Sequence, residues 1–230
     1  MQAMNHQKGF TLLEIIVALA LATIISTAGY AFYTTQYQTK LQQERVAFMQ
    51  QNLRAGMEML SKDIRRAGYD PLGNTNAGFS EAKGDRLTFS YALDAGHNGI
   101  DDDGDGNIDE ADEALLVSSI SYTLSDANGD EHNDLVRTSG TTTVIATERV
   151  EGLELRYRME SGTISTSPGA LDEITAVEVA LLVKSPRAEK GFKNTITYRG
   201  FSQTWGPFDD SFRRRLLRGT IQCRNQGLSL

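Results

Sequence analysis

KGFTLLEIIVALALATIISTAGYAF, residues 8–32, is the stretch that decides the fold of this chain. From Phe10 to Phe32 its only charged side chain is Glu14. About 20 apolar residues are enough to cross a bilayer as a helix, so we predict a transmembrane helix here. The flank before it carries one lysine and no acid, which favours a cytoplasmic N-terminus. A carboxylate inside such a run is costly in lipid, so Glu14 needs either a partner or a function.

The order of residues around Glu14 predicts how the segment is processed. Lys8-Gly9-Phe10-Thr11-Leu12-Leu13-Glu14 resembles the class III signal of type IV pilins and type II secretion pseudopilins. The resemblance implies that prepilin peptidase removes a leader, residues 1–9, by cutting between Gly9 and Phe10 on the cytoplasmic side of the membrane. It also implies that Phe10 is then N-methylated. A plain signal anchor without this processing is the alternative.

The same resemblance gives Glu14 a role in assembly. A carboxylate in an apolar helix bundle needs a nearby cation that offsets its desolvation. In this family the cation is the N-terminal amine of a neighbouring subunit, which exists only after cleavage. In a simple anchor, by contrast, Glu14 reaches toward the membrane interface.

The helix is predicted to continue well beyond the apolar run. Apolar residues recur at steps of three and four, which is typical of one face of an amphipathic helix: Tyr37, Leu41, Phe48, Met49, Leu53, Met57, Leu60, Ile64 and Ala67. Three residues that stop helices follow, namely Gly68, Pro71 and Gly73. We therefore predict one helix with a transmembrane and assembly half, 10–33, and an amphipathic half, 34–67.

The remainder of the chain, 68–230, is predicted to be an antiparallel β domain. Segments rich in β-branched and aromatic residues predict strands, at 86–93, 115–124, 142–147, 152–159, 174–185, 195–204 and 216–225. No helical pattern separates them, which favours antiparallel pairing. The predicted fold class is α+β, with a long N-terminal helix packed on an antiparallel β-sheet. This is the pilin architecture that the N-terminal resemblance implies.

Two further segments indicate which kind of pilin-like protein this is. NLRAGMEMLSKDIRRAGYDP (52–71) resembles the helix end of PilW- and PilV-type minor pilins and of GspJ-type minor pseudopilins. RRRLLRGTIQCRN (213–225) resembles the closing strand of PilW-like proteins. The resemblance implies a PilW-like minor pilin that acts in pilus assembly or at the pilus tip. The alternative is a GspJ-like minor pseudopilin of a type II secretion system.

The resemblance also implies partners and locations. The partners are other pilins or minor pilins, bound through the N-terminal helix, together with prepilin peptidase and the inner-membrane assembly machinery. Before assembly the protein is expected in the bacterial inner membrane as a single-pass protein with its N-terminus in the cytoplasm. After assembly it is expected in the periplasm or in the extracellular pilus.

An acidic loop, 96–116, predicts a calcium site. The net charge is −7, and between Arg86 and Arg137 there are thirteen acids and no Lys or Arg. Oxygen donors recur with the spacing of an EF-hand loop, and Gly106 stands at the turn position: Asp101, Asp103, Asp105, Asn107 (through its carbonyl), Asp109 and Asp112. The last position is Asp rather than the usual Glu. We predict structural Ca²⁺, against a solvated acidic loop; a free-standing membrane-anchored calcium-binding protein is a further alternative.

Other patterns predict little chemistry. The second acidic run, 125–134, lacks the turn glycine and is expected to be a polar hairpin turn. No nucleophile can be paired with a base, so we predict that the chain is not an enzyme. The C-terminal part has a basic tail that could contact nucleic-acid phosphates: Arg213, Arg214, Arg215, Arg218 and Arg224. Solvation of a strand edge is the commoner reason for such a pattern, so nucleic-acid binding is not expected. The single Cys223 excludes an internal disulfide.

Overall fold

The computed structural model describes residues 9–71, 75–93 and 116–225. They form an α+β fold of one long helix and antiparallel strands, as predicted. The helix α1 is Leu12–Ile64. The strands are β1 (Phe79–Ala82), β2 (Leu87–Leu93), β3 (Leu116–Ser125), β4 (Asp134–Ser139), β5 (Thr142–Thr147), β6 (Val150–Met159), β7 (Ile164–Ser165), β8 (Ile174–Lys184), β9 (Tyr198–Arg199), β10 (Thr204–Trp205) and β11 (Arg214–Gln222). The chain divides into two compact units, Met1–Val46 and Ala47–Leu230.

The first unit contains the apolar half of α1. This half is long and apolar enough to cross a membrane, and none of that window is buried within the chain. Its threonine hydroxyls are satisfied inside the helix, since Thr23 donates to the carbonyl of Ala20 at 2.8 Å and Thr27 to that of Thr23 at 2.7 Å. Internal satisfaction of polar groups is what the hydrocarbon of a bilayer requires.

The second unit contains the end of α1 from Ala47, with most of the predicted stripe; Tyr37 and Leu41 belong to the first unit. Met49, Leu53, Leu60 and Ile64 are buried, while Tyr37, the first member of the predicted stripe, is exposed. The helix ends three residues earlier than predicted, and Gly68 follows in the left-handed conformation with φ 73°. That conformation is a common end for helices because glycine adopts it without a Cβ clash.

The strands form two main sheets and not one. The first has the order β1-β2-β3-β4-β5, and the second has the order β11-β8-β6-β7. Alternation of apolar residues identifies the face of a strand but not its neighbour, which is why the division into two sheets was not predicted. Phe79 contacts both main sheets. The centroid of its ring lies 5.7 Å from that of Phe89 in the first sheet and 6.3 Å from that of Tyr157 in the second.

Segment 195–204 differs from its prediction as one strand. It forms the two-residue strand β9 and leads, through a tight turn, into β10. Glu154 of β6 causes the turn, because its carboxylate accepts the backbone N–H groups of Phe201 at 2.8 Å, Ser202 at 2.8 Å and Gln203 at 3.2 Å. Burial opposes the charge, yet these bonds and the Ser202 hydroxyl outweigh it and lower the pKa of Glu154.

Strands β1, β4 and β7 were not predicted. Two of them are short, at four and two residues. Strand β4 has six residues and includes two charged side chains, Asp134 and Arg137, so its sequence is typical of a loop. Both charges are accommodated in the fold: Asp134 accepts the N–H of Arg149 at 2.9 Å, and Arg137 donates to Asp63 of α1 at 2.5 Å.

Candidate processing and assembly site

The predicted cleavage site lies immediately before the helix. Gly9 and Phe10 have non-helical backbone, and α1 begins at Leu12. Phe10 is 86% exposed, and among the described residues beyond its chain neighbours no atom lies within 4 Å of the position that a Cβ on Gly9 would take. The Gly9–Phe10 peptide bond is therefore open to approach from outside the chain.

Thr11 and Glu14 form a capping box at the start of α1. The hydroxyl of Thr11 accepts the N–H of Glu14 at 3.3 Å. In return, one carboxylate oxygen of Glu14 accepts the N–H of Thr11 at 2.9 Å and its hydroxyl at 3.0 Å. These bonds satisfy backbone donors that the first turn of a helix leaves free. Among the residues that the structure describes, Glu14 thus has hydrogen-bond partners, and no ion pair with a cation is formed.

Glu14 is one of the residues that line an apolar groove along one side of the helix. The groove has a volume of about 430 Å³. Its other lining residues are Phe10, Ile15, Ala18, Leu19 and Ala22. The two alanines leave room for a second helix to approach closely, which is how helices pack in a membrane. A carboxylate in such a groove becomes desolvated when a second helix covers it.

Thr11 is the functional residue that the sequence reasoning missed. Its signal was present, because a Thr followed three residues later by Glu, just before an apolar run, is the pattern of a capping box.

The predicted calcium ligands lie outside the described residues: Asp101, Asp103, Asp105, Asn107, Asp109 and Asp112. The described residues on either side belong to β2 and β3, which pair with each other in antiparallel fashion. The nearest described elements are thus two paired strands, whereas an EF-hand loop is flanked by helices.

The second acidic run closes the β3–β4 connection as a polar turn. Asp126 accepts three backbone N–H groups, from Gly129 at 2.8 Å, Asp130 at 3.1 Å and Glu131 at 3.0 Å. Asp130 pairs with the guanidinium of Arg149 at 2.7 Å. Within the described ranges, no three His, Cys, Asp or Glu side chains are grouped so that they could hold one metal ion.

The first arginines of the basic tail are neutralised by the fold. Arg213 forms a bidentate pair with Glu189, and Arg214 pairs with both Glu151 and Asp210. These pairs leave little of their charge for phosphate groups. Cys223 is half-buried just beyond β11, and burial raises the pKa of its thiol to about 12.

Comparison with known proteins identifies the N-terminal segment. The family model described as the prokaryotic N-terminal methylation motif matches residues 4–30. The model described as prepilin peptidase-dependent protein B matches residues 42–128. The chain is a type IV pilin-like protein. The resemblance predicted from Gly9, Phe10 and Glu14 is confirmed at this level, as is dependence on prepilin peptidase.

A solved structure is also similar to this pilin-like chain. It is a type IV-like pilin from Thermus thermophilus, with a TM-score of 0.48 and 15% sequence identity. The similarity covers 77% of this chain and 97% of that protein.

Proposed function

We propose that this pilin-like protein is a PilW-like minor pilin of a type IV pilus. Prepilin peptidase cuts between Gly9 and Phe10, Phe10 is N-methylated, and the mature chain enters the filament through its N-terminal helix. Its role is structural, in pilus assembly or at the tip, and requires no catalysis. In this proposal the protein passes from the inner membrane to the periplasm and the extracellular pilus.

The observation that carries the proposal is the position of Glu14 in its groove. The carboxylate is held at the helix start by Thr11, beside an apolar surface whose lining, in the described part of the chain, includes no Lys, Arg or His. A second helix that covers this surface removes water from the charge of Glu14. This step is favourable only if the second helix also brings a cation to pair with the carboxylate. The new amine at Phe10 of a neighbouring subunit is such a cation.

Mass spectrometry of the mature protein tests the processing step. We expect a chain that begins at Phe10 and carries one N-methyl group. The same preparation from cells that lack prepilin peptidase should retain residues 1–9. A mature chain that begins elsewhere, or identical masses in the two strains, contradicts the proposal and favours a free-standing anchor.

The pseudopilin alternative makes a different prediction for the cell. A GspJ-like minor pseudopilin supports protein secretion, whereas a minor pilin supports surface pili. Deletion of the gene is expected to reduce the number of pili counted by electron microscopy and to leave type II secretion unchanged. The reverse result would assign the protein to secretion.

We also propose that the acidic loop, 96–116, binds Ca²⁺ in a structural role. The support is the spacing of its oxygen donors and the absence of any Lys or Arg in the loop. Sites of this kind in extracellular modules bind at about 10⁻⁴ to 10⁻³ M. Calorimetric titration with millimolar Ca²⁺ should give saturable heat that is lost in the double variant Asp101→Asn/Asp103→Asn. An equal signal from this variant and the parent contradicts the proposal.

A further inference from the structure

Three tyrosines form a stripe where the apolar half of α1 ends. Tyr30, Tyr33 and Tyr37 are spaced by three and four residues, so they lie on one side of the helix. Their side chains are 71%, 65% and 52% exposed. The rings of Tyr33 and Tyr37 stack with centroids 6.3 Å apart and an interplanar angle of 16°. We call these three residues the tyrosine stripe.

The tyrosine stripe marks a change of chemistry along the helix. Before it, residues 15–29 carry no charge and are mainly aliphatic. Thr34, Thr35, Gln36 and Gln38 accompany it, and Lys40 is the first charged residue after Glu14. The stripe therefore lies at the border between a segment suited to hydrocarbon and one suited to water.

We propose that the tyrosine stripe binds the outer lipid–water interface and thereby fixes how deep the helix lies in the bilayer. Tyrosine suits this border because its ring is apolar and its hydroxyl forms hydrogen bonds with headgroups and water. Among the residues that the structure describes, Tyr33 and Tyr37 stack on each other, and all three side chains remain more than half exposed.

The depth has a consequence at the other end of the helix. Tyr30 follows Phe10 by 20 residues, which corresponds to about 30 Å of helix. The hydrocarbon core of a bilayer is also about 30 Å thick. With Tyr30 at the outer interface, the Gly9–Phe10 bond lies at the inner one. The tyrosine stripe is thus a positioning element for cleavage, an inference that rests on the proposed processing at this bond.

Thiol labelling in membranes measures the depth directly. The parent is the full chain with Cys223→Ser and Gln36→Cys, treated with a maleimide that cannot cross membranes. The triple variant Tyr30→Leu/Tyr33→Leu/Tyr37→Leu lengthens the apolar run, so position 36 should sink and its labelling rate fall about tenfold. Phe32→Leu, off the stripe, is the matched control and should label at the parental rate. Equal rates for the triple variant and the parent overturn the proposal.

A neighbouring pilin is the competing partner for the tyrosines, and the labelling distinguishes it from lipid. In cells that make no other pilin, the triple variant should still show the slower labelling. A difference that appears only when other pilins are present assigns the stripe to a contact between subunits and overturns the lipid proposal.

Insertions test the link between depth and cleavage. Duplicating residues 18–21 moves Tyr30 about 6 Å further from Phe10. Adding the same four residues after Thr39 leaves that distance unchanged. We expect the first insertion to slow cleavage about fivefold in a pulse–chase measurement and the second to have no effect. Equal rates overturn the positioning role. If the parent itself is not cut after Gly9, the proposed function fails, while the labelling still decides whether the stripe binds the interface.

Discussion

The Nε atom of Arg137 lies 2.5 Å from a carboxylate oxygen of Asp63. The hydroxyl of Tyr122 donates to the same oxygen at 2.6 Å. One carboxylate near the end of α1 thus binds side chains from both β3 and β4. Burial, followed by the hydrogen bond to Asp63, raises the pKa of the Tyr122 hydroxyl well above its usual range. This cluster fixes the second unit's helix segment against its first sheet.

Removal of Asp63 is expected to destabilise the second unit. Asp63→Ala leaves the Arg137 guanidinium and the Tyr122 hydroxyl without their acceptor in a largely buried site. We expect the free energy of unfolding to fall by about 2–4 kcal/mol, measured by urea denaturation of the full chain in detergent with Trp205 fluorescence. Glu58→Ala, on the exposed side of the same helix, should change it by less than about 0.5 kcal/mol. Similar losses for the two variants would refute this role.

The close approach of α1 to β5 depends on Gly56. A Cβ added to Gly56 would lie 1.7 Å from the hydroxyl oxygen of Thr147. Gly56→Ala should therefore lower the free energy of unfolding by about 1–3 kcal/mol. The Thr147 hydroxyl is buried and makes no hydrogen bond, so Thr147→Ala alone should be nearly neutral.

The double variant Gly56→Ala/Thr147→Ala separates the clash from other effects of the substitution. It should regain part of the lost stability, since the nearest clashing atom is gone. The regain is incomplete because the Ala146 carbonyl oxygen lies only 3.1 Å from the new Cβ. A double variant as unstable as Gly56→Ala would place the cost elsewhere.

Acid is expected to release the β9–β10 hairpin. The folded pKa of Glu154 is lowered, so its stabilising contribution is fully present above the unfolded pKa of about 4.3. The contribution is lost as the pH falls from that value through the lower folded pKa. Pepsin cleavage within 200–206 should therefore accelerate in the parent as the pH drops below about 4.3.

Glu154→Gln provides the comparison for this pH effect. Its hairpin should be cleaved faster even at the top of this pH range. The three N–H groups bind both carboxylate oxygens, whereas an amide offers one neutral oxygen, so at least one N–H group loses its acceptor and the others are bound more weakly. Its cleavage rate should also depend less on pH than that of the parent. Glu160→Gln, at an exposed position beyond β6, is the matched control. A steep pH dependence retained in Glu154→Gln would exclude Glu154 as the titrating group.

Two variants at the helix start separate capping from charge pairing. Glu14→Gln keeps an oxygen that accepts from Thr11 but removes the charge. Thr11→Ala removes the hydroxyl but keeps the charge, at a cost of about 1 kcal/mol to the helix start. If a charge pair drives assembly, Glu14→Gln should be processed normally yet be lost from purified pili, while Thr11→Ala should still be incorporated. Incorporation of Glu14→Gln at the parental level would argue against the charge pair.

Two kinds of repeat in the sequence predicted much of this fold: a repeat of two residues for strands, and one of three to four residues for the helix. The core stripe of α1 from Met49 onward was recognisable because burial of one face leaves a regular signal. Strands β6 and β8 were recognisable from their β-branched and aromatic residues, although both faces of β8 are largely buried. Strand β4 was not predicted because it contains the charged Arg137. The partner of this side chain, Asp63 on α1, is 74 residues away in sequence. A buried ion pair between residues far apart in sequence leaves no periodic pattern, so it is seen only in the folded structure.

The candidate site was predicted in part for a similar reason. Gly9, Phe10 and Glu14 belong to one local motif with fixed order, which sequence alone displays. The groove beside Glu14 was not predicted from this motif, because it forms only where the helix places Ala18 and Ala22 on the same side. The turn between β9 and β10 depends on Glu154, which lies 47 residues before Phe201 in the chain. No pattern within segment 195–204 itself predicts this turn.

Leu93 and Leu116 are direct partners across the β2–β3 ladder. The ends of the acidic insertion are therefore held at the separation of an ordinary hairpin, whatever the length of the chain between them. Loop length adds little to the entropy of closing such a connection. Evolution can exchange, enlarge or delete this insert without rebuilding the scaffold, which makes it a natural place for related filament subunits to diversify.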